Sequence, residues 1–599
     1  MLRRAGRLFS DLRDIRNFCI VAHIDHGKST LADRFLELTQ TVKKVSHAQV
    51  LDTLQIEQER GITIRAQTVA MRHQGKLLNL IDTPGHVDFS YEVSRSLRAC
   101  QGCILLVDAT AGVQAQTFSN FYQAFEAGLT IIPALNKVDH PAAEVQVVED
   151  QVKTHFDLTI KHRISALSGL GVSSLLDDVI ATVPPPEGDP KADFRGFLFD
   201  SWYHSHRGVV CLISVKDGIV RKGEFLRSLG TGLTYTVQEL GLPGLELKPQ
   251  PHISAGQVGY FLLSMKKTAE ALIGDTFVVA NSKVTEPFPG FKPPKCMVFA
   301  GAYPEDPDNF GELQVALDRY LLQDRSVMIS KHNSEALGSG FRCGFLGLLH
   351  MDIFRQRLDM EYQQPIIITA PSVTYEIELK TGQIQTVDNA NLLPDRFHIK
   401  SYREPVVEAT IVTPSEYTGD IVNFCLECRG SQADHVVLDT QRALLKFRLP
   451  LAEIIMGFFD SLKSLTRGMA TLDYELVGYF EADVGLFTIL LNGKMVDALS
   501  SLVHREKAAS KGKNMVDRLK EILPQQLFEV AIQATFQGKI IARSTMKALR
   551  KDVTAKCYGG DQSRKRKLLE RQKEGKRKMR EIGKVRVDAD TFHQLLRIK

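Results

Sequence analysis

The sequence has little of what marks a membrane protein or a disulfide-rich secreted protein. No apolar run approaches the roughly 20 residues that a membrane-spanning helix needs, and the longest, near 487–491, has the length of a strand. Cysteine is sparse, with nine residues scattered over 599. This odd, scattered set argues against a disulfide framework and indicates a reducing compartment. A chain of this length is also too long for one hydrophobic core, so several domains are expected.

Two C-x-x-C pairs, Cys100/Cys103 and Cys425/Cys428, raise the alternative of a four-cysteine zinc site. Such a site needs all four thiolates around one ion. Cys103 opens an apolar strand, whereas the second pair lies on a predicted helix, 421–428, in what reads as a different domain. Free buried thiols are therefore favoured over zinc.

Charge is low overall and concentrated at one end. The formal net charge is +5, yet residues 561–584 hold eleven Lys or Arg against four acidic residues, a local charge of +7. Such a basic stretch indicates a polyanionic partner, nucleic acid first. The alternative is a solvated charged helix.

The first ten residues are also basic. They hold Arg3, Arg4 and Arg7 and no acidic residue, which is the character of a short mitochondrial transit segment, over residues 1–14. A plain basic extension is an equal alternative.

A phosphate-binding loop lies near the start of the chain. An apolar, strand-like run at 18–21 leads into a loop and then a helix-like run from Leu31. In such a unit, backbone N–H groups at a helix N-terminus can wrap a phosphate. We expect Lys28 to reach the outer phosphates of a nucleoside triphosphate and Ser29 to hold Mg²⁺. The predicted loop residues, with Ala where Gly is usual, are Ala22, His23, Ile24, Asp25, His26, Gly27, Lys28, Ser29 and Thr30.

Residues 17 to about 183 alternate strand-like and helix-like runs. This alternation predicts a parallel α/β sheet with its ligand at the carboxyl ends of the strands. The predicted strands are Asn17–Ile24, Gly61–Met71, Lys76–Asp82, Cys103–Asp108, Leu129–Asn136 and Lys161–Ser165.

A second motif, Asp82-Thr83-Pro84-Gly85-His86, follows the third of these strands. Asp82 is placed to hold Mg²⁺ through water, and the Gly85 N–H to meet a γ-phosphate. A lone histidine is more often structural than catalytic, but its position directly after this turn favours a role for His86 beside the attacking water.

The stretch Arg60-Gly61-Ile62-Thr63-Ile64 lies between these two motifs, after a polar, non-periodic stretch at 39–59. We expect a mobile segment that becomes ordered when Thr63 ligates Mg²⁺. Ile24 and Ile62 are expected to flank His86 as an apolar gate. The alternative, an ordinary strand start, is disfavoured by the order of the three motifs along the chain.

The stretch Asn136-Lys137-Val138-Asp139 is expected to select the nucleotide base. Asp139 would accept hydrogen bonds from guanine N1 and N2, a donor pair that adenine lacks, so ATP would leave the carboxylate unpaired. Asn136 and Lys137 would brace this loop. Ser165 and Ala166, followed by Leu167 where Lys is usual, are expected to contact guanine O6 through backbone N–H groups.

Together these motifs resemble the guanine-nucleotide domain of the translation-factor GTPases, in which the RGITI and DTPGH motifs occur as a pair. The Pro-rich stretch 183–190 then leads into short β-rich runs up to about 284, which read as a β-barrel. This region resembles the second domain of the same factors, with matching turns at 221–223 and 273–276.

The later regions resemble elongation factor G and LepA. Residues 295–372 and 400–485 are similar to two α+β domains of elongation factor G, and 486–599 resembles the special C-terminal domain of the LepA, or elongation factor 4, subfamily. The predicted fold class is thus multidomain α/β: a P-loop GTPase domain (15–185), a β-barrel (191–284), two ferredoxin-like α+β domains and a basic C-terminal domain.

This resemblance implies a ribosome-dependent GTPase with Mg²⁺ as its cofactor, which promotes protein synthesis by acting on stalled or mistranslocated ribosomes, including back-translocation. The implied partners are GTP, GDP, the ribosome and tRNA, and the implied state is a monomer. The RNA contacts would come from Lys556, Tyr558, Arg564, Lys565, Arg566 and Lys567.

Details at 297–301 and 410–419 resemble the mitochondrial branch of the subfamily. They imply the mitochondrial matrix, with peripheral association with the inner membrane, whereas the bacterial cytoplasm is the alternative location. Two other functions stay open: a GTPase that times ribosome assembly, and a non-translational GTP switch that acts on a protein partner.

Overall fold

The computed structural model describes residues 12–582 apart from positions 43–48, 53, 205, 266–269, 290–295, 322, 335–336, 439–441, 456, 550–552 and 555–561. Within these limits the chain is a multidomain α/β structure, which confirms the predicted fold class. Most of the predicted transit segment and the candidates Lys556 and Tyr558 lie outside the described residues. In the described part of the chain, no helix is long and apolar enough to cross a membrane.

The first region is a six-stranded sheet with helices on both faces. Its strands are β1 (Ile15–Ala22), β2 (Gln67–His73), β3 (Lys76–Asp82), β4 (Gly102–Asp108), β5 (Thr130–Asn136) and β6 (His162–Arg163). Its helices are α1 (Lys28–Leu38), α2 (Gln55–Arg60), α3 (Ser90–Arg98), α4 (Ala115–Glu126), α5 (Val145–Phe156) and α6 (Val172–Thr182). The strand order is β2-β3-β1-β4-β5-β6, and the central strands β1 and β4 are buried along their whole length, as apolar strands covered on both faces should be.

The sheet is mixed rather than all-parallel, which corrects the prediction. Strand β2 runs antiparallel to β3. The two are joined by Gln74 and Gly75, which both have positive φ. A two-residue turn of this kind connects antiparallel neighbours, whereas a parallel pair needs a long crossover.

The predicted strand 61–71 starts later than expected, and the polar stretch 39–59 is not featureless. Residues 61–66 stay out of the sheet, because the N–H groups of Ile64 and Arg65 bond to the Glu57 carboxylate at 2.9 and 3.1 Å. Glu57 itself lies in α2, whose six residues are too few to show helical periodicity in the sequence.

The second region is the predicted β-barrel. Its strands are β7 (Arg195–His204), β8 (Gly208–Asp217), β9 (Ile219–Arg221), β10 (Phe225–Ser228), β11 (Thr234–Leu242), β12 (Lys248–Pro249), β13 (His252–Ser254), β14 (Val258–Leu263) and β15 (Thr276–Val279). The main sheet runs β10-β15-β7-β8-β14-β11-β12 and closes because β10 also pairs with β11. An apolar cluster fills its interior.

Two α+β regions follow, each with the order β-α-β-β-α-β. The first has β16 (Val298–Pro304), α7 (Phe310–Leu321), β17 (Met328–Ser334), β18 (Gly338–Phe345), α8 (Leu348–Tyr362) and β19 (Ile366–Ile368), with the strand order β17-β18-β16-β19. Strands β20 (Tyr375–Leu379) and β21 (Ile384–Val387) then join the next sheet ahead of its predicted start at 400.

The second α+β region has β22 (Ile399–Pro414), α9 (Thr418–Glu427), β23 (Ser431–Val437), β24 (Arg442–Pro450), α10 (Leu451–Ile455), α11 (Phe458–Leu465) and β25 (Thr471–Glu481). Strand β22 pairs with β24 on one side and with β20 and β25 on the other. In both regions the first strand therefore lies between the third and the fourth, which is the ferredoxin-like arrangement.

The C-terminal region has β26 (Val484–Leu491), β27 (Lys494–His504), α12 (Arg505–Ile522), β28 (Val530–Phe536), β29 (Lys539–Met546) and α13 (Gln562–Ile582). The strand order is β27-β26-β28-β29. One face of α12 packs with this sheet in a shared apolar cluster.

The eight described cysteines are free thiols. Cys103 faces Cys19 across β1 and β4, while Cys425 lies in α9, so the two C-x-x-C pairs are in separate domains. Burial raises the pKa of the Cys425 thiol to about 12, which makes it a poor thiolate ligand at neutral pH.

Candidate functional site

The P-loop connects β1 to α1 at the carboxyl edge of the first sheet. The last three predicted loop residues, 28–30, form the first turn of α1, and Gly27 directly before them has a φ of +93°, which glycine adopts without steric cost. A Cβ at this position would lie only 2.4 Å from Asn136 Nδ2. Both the backbone conformation and the base-side neighbour therefore require glycine here.

Two histidines inside the loop are neutral. Burial lowers the pKa of His23 to about 3 and that of His26 to about 4. His26 Nδ1 accepts the N–H of Asp108 at 3.3 Å. Lys28 is therefore the residue of this loop that supplies positive charge at neutral pH.

Side chains from three separate motifs meet at the start of α1. Lys28 Nζ donates to Asp82 Oδ1 at 2.9 Å and to Thr63 Oγ1 at 2.8 Å. Thr63 Oγ1 lies 3.2 Å from Ser29 Oγ. The three residues predicted to hold Mg²⁺, namely Ser29, Thr63 and Asp82, thus lie within one hydrogen-bonded cluster around Lys28.

Asp52 belongs to the same cluster, although no sequence motif marks it. Its carboxylate accepts the Thr63 hydroxyl at 3.0 Å. Asp52 Oδ2 and Asp82 Oδ2 are both buried without a hydrogen-bond partner, and burial raises the pKa of Asp82 against the opposing effect of Lys28. Two orphaned carboxylate oxygens beside two hydroxyls form the all-oxygen set that Mg²⁺ prefers, so the residues present fit this cofactor.

The Asp82–His86 turn lies against the P-loop. Thr83 Oγ1 donates to the Ile20 carbonyl at 2.8 Å, and a Cβ at Gly85 would lie 3.3 Å from the Ala22 carbonyl oxygen. The backbones of the two motifs are therefore close enough to contact one phosphate chain. Pro84, in the same turn, is buried.

The His86 imidazole is oriented by its own turn. Its Nδ1 accepts the backbone N–H of Asp88 at 3.1 Å, and its side chain is 21% exposed. With Nδ1 acting as an acceptor, the proton of a neutral imidazole lies on Nε2. In this orientation His86 can donate a hydrogen bond to a water molecule or a phosphate oxygen.

The two predicted gate residues differ in their surroundings. Ile62 packs beside an apolar cluster that contains Phe89 and Ile353, so it is anchored against α8. Ile24 is half-buried in the P-loop. Their joint action around His86 stays a prediction.

Asn136 joins three loops of the site. Its Nδ2 donates to the His26 carbonyl at 2.9 Å, and its Oδ1 accepts the N–H of Ala166 at 2.9 Å. Lys137 Nζ contacts the Asp25 carbonyl at 2.7 Å and Asp108 Oδ2 at 2.6 Å. Both residues thus bond to carbonyl groups of the P-loop, and their contact with a guanine ring stays a prediction.

The predicted base-recognition residues differ in exposure, since Ser165 and Ala166 are buried whereas Asp139 is exposed. Asp139 is exposed and thus available to a base, while Val138 packs partly into the core. Ser165 Oγ accepts the N–H of Ser168 at 3.2 Å. The side chain of Leu167, which replaces the usual Lys, is 76% exposed.

Arg34 of α1 holds the backbone of the loop at 165–168. Its Nε donates to the Ala166 carbonyl at 2.9 Å and its Nη2 to the Leu167 carbonyl at 2.6 Å. These bonds fix the backbone of the loop although Leu167 offers no polar side chain. Arg34 belongs to no recognisable motif, so its role in this loop could not be predicted from the sequence.

The segment that follows Thr63 also contacts the barrel. The Arg65 guanidinium lies over the Trp202 indole, 4.9 Å from the ring centroid, which is a cation–π geometry. Arg65 also lies 3.9 Å from the Asp200 carboxylate. The segment is thereby joined to β7.

The described RNA-contact candidates are on α13. Arg564, Lys565, Arg566 and Lys567 are all exposed, and Arg566 pairs with Glu570 at 3.4 Å. They present positive charge to solvent, as a polyanion-binding surface requires.

The fold and the site define a P-loop GTPase built as a translation factor. Three family models match separate parts of the chain. Residues 13–185 match the Elongation factor Tu GTP binding domain, 401–488 the Elongation factor G C-terminus, and 491–597 the GTP-binding protein LepA C-terminus.

Individual relatives match nearly the whole chain. Elongation factor 4 of Acetivibrio thermocellus is 50% identical over 596 residues, which cover 98% of this chain and 99% of the relative. Translation factor GUF1 homolog, mitochondrial, of Arabidopsis thaliana is 50% identical over 598 residues, with 98% and 90% covered. Translation factor GUF1, mitochondrial, of Homo sapiens is 49% identical over 601 residues, with 98% and 90% covered.

The chain therefore belongs to the elongation factor 4, or LepA, family of translation-factor GTPases, whose reaction is the hydrolysis of GTP. A solved structure shares the fold: a Thermus thermophilus protein aligns with a TM-score of 0.56 at 16% identity, over 78% of this chain and 97% of that one.

Proposed function

We propose that this GTPase acts on the ribosome, which it binds in the GTP form and leaves after hydrolysis. The observation that carries the proposal is the contact of Thr63 with Ser29 and Lys28. A segment held at the nucleotide cluster is released when the γ-phosphate is lost, and the same segment contacts other domains through Ile62 and Arg65. Nucleotide state can thus alter the surface offered to a partner.

Mg²⁺ would be held by Ser29, Thr63 and Asp82, with Asp52 bonded to Thr63. The ion would supply charge neutralisation on the phosphates. Lys28 would hold the cluster together, the Gly85 N–H would meet the γ-phosphate, and His86 would orient a water molecule through Nε2.

The first test measures GTP turnover with no ribosomes, with separated subunits and with complete ribosomes. We expect complete ribosomes to raise turnover by at least about tenfold. Equal turnover in all three conditions would favour a non-translational switch, whereas stimulation by subunits alone would favour a role in ribosome assembly.

The same assay tests His86. His86→Ala should lower the stimulated rate by about 10²- to 10⁴-fold, the usual range for one proton-handling side chain, and leave GDP affinity unchanged. His204→Ala is the matched control, since His204 Nδ1 also accepts an N–H two residues on, at 3.2 Å, but within the barrel. Full turnover in His86→Ala would remove His86 from the reaction.

Ribosomal RNA and tRNA are the proposed partners of α13. Replacing Lys565 and Lys567 by Ala should reduce the salt dependence of ribosome binding by about 1.4 in the log–log slope, because about 0.7 counterion is released per neutralised phosphate on single strands. The control replaces Lys222 and Lys248, two exposed lysines of the barrel. An equal slope in both variants would make α13 a solvated helix.

The proposed location is the mitochondrion, where the protein would act as a monomer on stalled or mistranslocated ribosomes and move tRNA backwards. Support comes from the names of the Arabidopsis thaliana and Homo sapiens relatives and from Arg3, Arg4 and Arg7. Protease protection in isolated organelles tests the location, and alkaline extraction tests peripheral association with the inner membrane. A protein found only in the cytoplasm of a bacterial source would overturn it.

A further inference from the structure

One carboxylate joins the turn after His86 to two other domains. Asp88 lies in the short turn 87–89, with its side chain 3% exposed. Asp88 Oδ2 accepts the N–H groups of Leu349 at 2.9 Å and His350 at 3.3 Å. Asp88 Oδ1 accepts the Tyr474 hydroxyl at 3.4 Å.

The first contact supplies the N-terminal cap of α8. Free N–H groups at a helix N-terminus are normally satisfied by an oxygen of the residue that precedes the helix. That residue is Gly347, which has no side chain to offer. A Cβ there would lie 2.2 Å from the Asp88 carboxylate. Asp88 therefore occupies the place of the N-cap oxygen, and it comes from the GTPase domain.

Neighbouring contacts fix α8 against the turn that follows His86 and against the residues on either side of Thr63. Phe89 lies 5.9 Å from the His350 ring and shares an apolar cluster with Ile56, Ile64 and Ile353. Arg60, at the end of α2, pairs with Asp352 of α8. Tyr474, on β25, adds the second α+β region to the same point.

Asp88 also holds His86, since its N–H donates to His86 Nδ1. We infer that Asp88 is a positioning residue through which α8 and β25 set the orientation of the His86 imidazole. The inference rests on the proposed role of His86 in hydrolysis. A change in the arrangement of the α+β domains then alters the rate of hydrolysis without altering nucleotide affinity.

The test changes each side of the contact. Asp88→Asn keeps one acceptor oxygen but loses the negative charge that strengthens the bonds to α8. The loss of this charge corresponds to about a tenfold change in the stability of the contact. We expect the ribosome-stimulated kcat to fall by about that factor, with the KM for GTP and the Kd for GDP within about twofold of wild type. Gly347→Ala changes the other side of the contact, at the N-terminus of α8. It should give a similar loss, because the added Cβ would displace the Asp88 carboxylate.

The control is Asp306→Asn, which alters a carboxylate that accepts the N–H of Asp308 at the start of its own short helix and should leave kcat unchanged. A coupling readout separates positioning from mere stability. In the His86→Ala background, Asp88→Asn should cause no further loss in single-turnover rate, since both act on one group.

Each other outcome overturns the inference. Wild-type kcat in Asp88→Asn and Gly347→Ala, with His86→Ala inactive, would remove the link while leaving the role of His86 intact. A fall in kcat that persists in the His86→Ala background, or one matched by a loss of GDP affinity, would assign Asp88 a structural role. Full turnover in His86→Ala would reject the proposed role of His86 and this inference together.

Discussion

Replacing Asn136 tests whether the base and phosphate loops act as one unit. The side chain is 1% exposed and bonds to the His26 carbonyl and to the Ala166 N–H, each at 2.9 Å. Asn136→Ala removes both bonds. It leaves a buried carbonyl and a buried N–H that have to find new partners or stay unsatisfied.

The size of the effect follows from these two bonds. An unsatisfied buried polar group costs about 1–3 kcal/mol. Water can partly satisfy the freed His26 carbonyl and Ala166 N–H, so we use the lower half of this range. The cost is then about 1–1.5 kcal/mol for each group, or about 2–3 kcal/mol in all. That corresponds to a loss of roughly 30- to 150-fold in affinity. GDP and GTP should be affected equally, because the contacts lie on the base side and not at the γ-phosphate.

Titration of fluorescent GDP and of a non-hydrolysable GTP analogue measures both affinities. Asn79→Ala is the matched control, because Asn79 is also fully buried and donates to Asn17 Oδ1 at 2.6 Å in the same sheet. It should lower the Tm and leave nucleotide affinity unchanged. GDP binding within about threefold of wild type in Asn136→Ala, or a loss confined to the GTP analogue, would refute the reasoning.

Two further predictions concern Asp139 and Asp473. Asp139→Asn should lower GDP affinity by about 10²-fold and improve binding of the xanthine diphosphate. The reason is that an amide with one acceptor and one donor replaces the two acceptor oxygens that pair with guanine. Titration of both nucleotides checks this. Burial, with Asp88 and Glu475 nearby, raises the pKa of Asp473 from 3.8 to about 6. Its favourable contribution to folding is therefore complete below about pH 4 and is lost as the pH rises through 6, where the ionised carboxylate costs up to about 3 kcal/mol. Asp473→Asn should raise the Tm more at pH 7.5 than at pH 5 in thermal melts, and an equal gain at both would contradict this.

Contiguous motifs explain why much of the site could be predicted from sequence. Ser29, Thr63 and Asp82 each lie in a short, recognisable stretch, and the carboxyl edge of the sheet brings such stretches together. Asn136 is likewise predictable, because it is the last residue of a largely apolar strand. The ferredoxin-like regions were accessible only through resemblance, since their strands and helices are short and their pairing is non-local.

The rest depends on contacts between distant parts of the chain. Arg34 and Asp88 bond to backbone groups that lie far away in sequence, so no spacing reveals them. Asp52 bonds to the Thr63 hydroxyl from within a polar stretch that has no motif of its own. The antiparallel course of β2 depends on two turn residues, Gln74 and Gly75. An isolated Gln-Gly pair does not by itself distinguish a tight hairpin from a longer crossover.

The contact between Arg65 and Trp202 gives the molecule its own optical probe. Trp202 is the one tryptophan of the chain, and its indole lies under a guanidinium two residues after Thr63. Any displacement of that cation changes the polarity around a single fluorophore. Intrinsic emission can therefore time the response of the segment to nucleotide exchange in the unlabelled protein, with Arg65→Gln as the silent reference.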